Sequence, residues 1–126
     1  MPQIEVSPGE LLDRASVLVL KVARIADPAK VRLARGQLDA LAPALAAIDR
    51  DAVADLADRL DAVNAELWDV IDAQHALERA GELRVEYIDL CRSVNRLNGL
   101  RSALKRRIDE QLGYAPLSEV KSHPDP

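Results

Sequence analysis

Apolar residues recur at alternating three- and four-residue intervals through two long stretches that meet at a glycine. The first seam runs Val53, Leu56, Leu60, Val63, Leu67, Val70, Gln74 and Leu77. The second runs Leu83, Tyr87, Leu90, Val94, Leu97, Arg101, Leu104 and Ile108. This spacing puts one seam on each of two helices, and Gly81 between them supplies the reversal that lets the seams face. The pattern predicts an all-α fold: an antiparallel helical bundle built on a long two-helix hairpin, about 52–80 and 82–112, with two shorter N-terminal helices packed against its seam. Gln74 and Arg101 stand where the seam calls for apolar residues. A buried polar group needs a partner, so each marks a packing device or a site.

Helix starts are written clearly. Ser7-Pro8-Gly9-Glu10 is a capping box with proline at the first helical position. The helix it opens should run to about residue 26, with Leu11, Leu12, Ala15, Leu18, Val19, Val22 and Ile25 on one broad face. Glu10, Asp13, Arg14, Lys21 and Arg24 fall on the narrower remainder. Asp27-Pro28 repeats the cap-then-proline start. Pro43 cannot continue a hydrogen-bond ladder, which predicts a break or kink there. Asp49 or Asp51 then caps the third helix, and Gly113 stops the fourth. The expected organisation is one bundle domain, 1–113, followed by an extended tail, 114–126.

The chain has 126 residues, no Phe and one Trp, so its core must be aliphatic and its helices closely spaced. A net charge of −4 gives no general attraction to nucleic acid or to anionic membranes. The single Cys91 excludes an internal disulfide and fits a reducing compartment. Residues 1–6 lack the basic start and apolar run of a secretion signal. The apolar run at 17–20 is cut by Lys21 and Arg24, far short of a bilayer span. A soluble cytoplasmic protein is expected. With no phosphate loop, nucleophile elbow or zinc-ligand spacing, no cofactor or metal is expected.

With the hinge at Gly81, residues equally far from it lie level: Asp61 with Arg101, Asn64 with Asn98, Trp68 with Asn95 or Arg96, His75 with Tyr87. Asn64, Trp68, Asp72 and His75 share one side of helix three. Cys91, Asn95, Asn98, Ser102 and Lys105 share one side of helix four, and Glu10 and Lys21 of helix one would complete a pocket. One account is an interhelical hydrogen-bond network that fixes register, with Asp61–Arg101 as its ion pair. The functional account is a cleft for a small anionic ligand or a protein partner. The basic run of helix four, from Arg92 to Arg107, reads as a solvated, charge-paired face. Glu66-x-x-Asp69 with Glu86-x-x-Asp89 looks like the Mg²⁺ motif of all-α nucleoside triphosphate pyrophosphohydrolases. Helical rise staggers the two pairs by about 10 Å, which opposes their convergence on one ion.

Three segments together carry a family resemblance: Val6-Ser7-Pro8-Gly9-Glu10-Leu11-Leu12-Asp13, Asn64-Ala65-Glu66-Leu67-Trp68 with Asp72, and Arg92-Ser93-Val94 through Asn98, Arg101, Lys105 and Arg106. With Glu119-Val120-Lys121-Ser122 they resemble a family of short bacterial all-helical proteins, a domain of unknown function. The resemblance implies a setting among cell-surface polysaccharide and glycosyl-transfer genes, and family-like positions at Glu10, Lys21, Asn64, Trp68, Asp72, Asn98, Arg101, Lys105 and Lys121. The chain departs from that pattern at Ile71, His75, Asn95 and His123. The expected function is a non-enzymatic binding or accessory module. Cationic contacts would come from Arg101, Lys105 and Lys21, with Asn64 and Asn98 as orienting groups. The alternatives are the pyrophosphohydrolase and a structural oligomerisation unit. Helix three outruns helices one and two, which leaves part of its seam for a second copy.

Overall fold

The computed structural model describes residues 5–114 and consists of four helices: α1 (Pro8–Arg24), α2 (Pro28–Ala46), α3 (Ala54–Ala80) and α4 (Val85–Gln111), with a 3₁₀ turn at Arg50–Val53 leading into α3. The all-α helical bundle follows the seam pattern, and the described residues include no strand. The tail expected over 114–126 lies, beyond Tyr114, outside the described residues, as do Lys121 and His123.

Each boundary has a local cause. Ser7 caps α1, its hydroxyl accepting from the Glu10 N–H at 3.1 Å. Pro8 has no N–H to lose, and the Gly9 N–H goes to the Asp109 carboxylate of α4 at 2.7 Å. The first-turn donors of α1 are therefore all accounted for, one of them by another helix. The Glu10 side chain does not close the expected capping box; it turns instead to Lys105 and Arg14. Asp27 caps α2, accepting from the Ala29 N–H at 3.0 Å. Asp49 caps the 3₁₀ turn through the Ala52 N–H. Gly81 ends α3 at φ +72°, with the Glu82 N–H reaching back to the Leu77 carbonyl at 2.8 Å.

The break expected at Pro43 does not occur: α2 runs through it to Ala46. Pro43 lies in the last turn, and the one ladder bond it removes is that to the Asp39 carbonyl. The Asp39 carbonyl left without that donor belongs to an exposed residue open to water.

α3 and α4 form the hairpin, and α1 lies against both. α2 departs from expectation. It packs against α1 and makes no close backbone approach to α3 or α4, so it forms an outer layer. Only Leu45 at its end and Ile48 beyond reach the core. Ala34 is the one buried residue of α2.

The core sits at the end of the hairpin away from Gly81, where Leu12, Val53, Leu56, Ala57, Leu60, Leu104 and Ile108 pack together. α1 reaches along the hairpin as far as Asp69, which accepts from Arg24 at 2.7 Å. Past that level α3 continues for about three more turns. No described residue between Leu67 and Leu97 is buried. The seam is thus continuous in spacing but buried only where α1 covers it.

Candidate functional site

The buried face of α1 carries Gly9, Leu12, Asp13 and Ser16. Asp13 is the hub of the only extensive buried polar network among the described residues, being 1% exposed. Its Oδ1 accepts from Arg101 Nε at 2.8 Å and from Asn64 Nδ2 at 3.0 Å. Its Oδ2 accepts from Arg101 Nη2 at 2.6 Å, and Lys105 Nζ lies 3.7 Å away. Asn64 Nδ2 also donates to Ser16 Oγ at 3.1 Å. Lys105 in turn meets Glu10 Oε1 at 2.7 Å. Three helices are joined through one carboxylate.

A two-pronged Arg–carboxylate contact fixes both distance and orientation, which suits Arg101 to a place between helices. Burial pushes the Asp13 carboxyl upward. Hydrogen bonds from Arg101 and Asn64, and the charges of Arg101 and Lys105, outweigh it and hold the group below the ordinary aspartate value of 3.8. The hydrogen bond to Asp13 raises Arg101 against the opposing effect of its own burial, with help from the charges of Asp13 and Glu10. Both groups are ionised at neutral pH.

This arrangement corrects the expected ion pair. Arg101 does not meet Asp61, because α1 enters between the two stripes and offers Asp13 first. Asp61 faces outward and pairs with Arg50 at 3.1 Å. Asn64 and Asn98 do not form a pair either: Asn64 is buried against α1 and Asn98 is exposed. Other cross-hairpin levels lie near those expected, with Glu66 meeting Arg96 at 3.6 Å and Gln74 donating to Cys91 Sγ at 3.2 Å.

Above the network an open cleft of about 480 Å³ runs between α1 and α2, with Arg101 of α4 at its base. α1 lines it with Glu10, Asp13, Arg14, Val17, Leu18 and Lys21, and α2 lines it with Gln37, Ala40 and Leu41. Of the eight residues expected to form the site, Glu10, Asn64, Arg101 and Lys105 gather around Asp13, and Lys21 lines the cleft. Trp68 is half-buried farther along α3, while Asp72 and Asn98 are exposed and belong to neither.

Asp13, Ser16 and the Gly9–Asp109 contact are the elements that pairing rules for two helices do not reveal. A signal for them exists in the chain. Gly9, Asp13 and Ser16 recur at four and three, a small and polar stripe on an otherwise apolar helix. Gly9 permits the close crossing that seats this stripe. A Cβ there would run into the Lys105 carbonyl oxygen and come within 3.0 Å of Asp109 Oδ1.

The two acidic pairs do not come together. Glu66 is engaged by Arg96 and Asp69 by Arg24, and the described residues contain no group of three His, Cys, Asp or Glu placed to hold a metal ion. No helix of the described residues is long and apolar enough to cross a membrane. The chain matches no protein-family model, no curated protein and no solved structure.

Proposed function

We propose that the chain is a non-enzymatic binding or accessory module whose α1–α2 cleft takes a small anionic ligand. The observation that carries this reading is Lys21, which lines the cleft and makes no ion pair with any described residue. Arg14 and Arg101 line the same space but are matched there by Glu10 and Asp13, so Lys21 is the cation of the lining left over, in a chain of net charge −4. A cation lining a cleft with no partner from the protein is available to an anion from solution. Glu10 and Lys105 form a neutralised pair at one end, and Asn64 holds Asp13 from behind. The family resemblance adds the setting: a cytoplasmic accessory to cell-envelope polysaccharide biosynthesis.

Self-association through the far end of the hairpin is a second reading, favoured by the exposed side chains of Leu83, Val85 and Ile88. One set of thermal melts tests both. The panel holds carboxylates, alkyl phosphates, sugar phosphates, nucleotides and nucleotide sugars, each with and without Mg²⁺, at two protein concentrations. A ligand at 100 times its dissociation constant adds about 2.7 kcal/mol, a readily visible rise in midpoint. The expected result is a metal-independent shift from at least one anion that Lys21→Met abolishes. A shift that needs metal and nucleotide together, and survives Lys21→Met, would return the pyrophosphohydrolase reading. A midpoint independent of protein concentration removes self-association.

A further inference from the structure

The lining of the α1–α2 cleft specifies more than the sign of the ligand's charge. Glu10, Arg14, Val17, Leu18 and Lys21 follow one another along three turns of α1, which gives the cleft a direction over about 16 Å. At one end, Glu10 is bound to Lys105 and Arg14, and Asp13 to Arg101, so the charges there are already matched. At the other end stands Lys21, with no ion-pair partner among the described residues. Between them α1 presents Val17 and Leu18, while Ala40 and Leu41 of the returning α2 stand opposite the matched end.

What the cleft lacks is equally specific. Its described lining includes no aromatic ring on which a base or sugar could stack, and Gln37 is its one neutral polar side chain. Its walls are helical, so their backbone donors and acceptors are spent within the helices. A polyhydroxylated ligand laid over Val17 and Leu18 would find no partners for its hydroxyls on those side chains. An aliphatic body loses nothing polar.

We infer that the cleft binds a soluble, short-chain aliphatic anion, an alkyl phosphate or an aliphatic carboxylate. Its charged head lies at Lys21 and its chain runs over Val17 and Leu18. This assignment rests on the proposal that the cleft is an anion site, and it names the class of anion. The cleft volume of about 480 Å³ lies within the range of small-molecule sites.

Calorimetric titration of the whole chain with inorganic, ethyl, butyl and hexyl phosphate, hexanol and glucose 1-phosphate tests the assignment. Affinity should rise about fourfold for each methylene added, the increment expected for its burial. Lys21→Met should weaken hexyl phosphate by about tenfold or more, while Lys30→Met, on an exposed position of α2, should leave it unchanged. Val17→Asn, at a half-buried position beside the proposed chain, should flatten the chain-length dependence. Glucose 1-phosphate binding in a Lys21-dependent way, with no gain from alkyl chains, would overturn the aliphatic assignment and leave the anion site standing. Absence of binding by every anion would overturn both. Retention on phosphatidate-containing vesicles without binding of hexyl phosphate would move the contact to a lipid surface and overturn the free-ligand assignment.

Discussion

The two ends of the α3–α4 hairpin share one seam and differ in almost everything else. Near the open end, Leu60 and Ile108 are all but inaccessible, and the Asp13 carboxylate is buried beside them against Arg101. Near Gly81 the same three-four spacing yields half-buried Val70, Leu77, Leu90 and Val94, while Leu83 is 60% exposed. Seam spacing reports which face of a helix is apolar. Whether that face is buried depends on a third helix, and α1 ends at the level of Asp69.

The two polar exceptions in the seam inherit this difference, and substituting them gives the largest contrast. Arg101→Met strands the Asp13 carboxylate and should cost about 3–5 kcal/mol. Gln74→Leu, in the half-buried arm with only a thiol as partner, should stay within about 0.5 kcal/mol of the parent. Urea unfolding of the two variants measures both. Adding Asp13→Leu to Arg101→Met should recover most of the loss, since an apolar pair replaces a charged one; a double variant as unstable as the single one would count against the account.

Glycines sharpen the comparison at smaller scale. Gly9→Ala should cost about 1–3 kcal/mol, because its methyl meets the α4 backbone and the shift needed would disturb the contact with Asp109. Gly99→Ala, inside α4 with nothing near its Cβ position, should stabilise by about 1 kcal/mol. Equal effects at the two sites would mean that α1 does not cross α4 closely in solution.

Acid should act on the α1-covered end through Asp13. Its folded pKa lies below the unfolded value of 3.8, so its contribution is fully present above that value. It is lost as pH falls through the lower folded value. Stability measured between pH 5 and 2 should therefore drop more steeply in the parent than in Asp13→Asn, which starts lower and loses less. Identical slopes would show that Asp13 is not held below its ordinary value.

The chain states its helices, their caps and the hairpin openly, because these depend on spacing and on residues within a turn of each other. It flags Arg101 as an anomaly for the same reason. The identity of its partner was not legible, since counting from Gly81 orders two helices and says nothing of a third entering between them. The cleft was less legible still. Lys21 reads as a residue of α1's narrow polar side, and only the placement of α2 over α1, away from the hairpin, makes that side a wall.

That placement divides the labour between the two walls. α1 holds the bundle together through Gly9, Leu12, Asp13 and Ser16, so little on it can change without loss of the fold. α2 gives the core Leu45 and buries Ala34 against α1, and it supplies Gln37, Ala40 and Leu41 to the cleft. Gln37, Ala40 and Leu41 are exposed or half-buried, so the α2 side of the cleft can be rewritten at these three positions without touching the core.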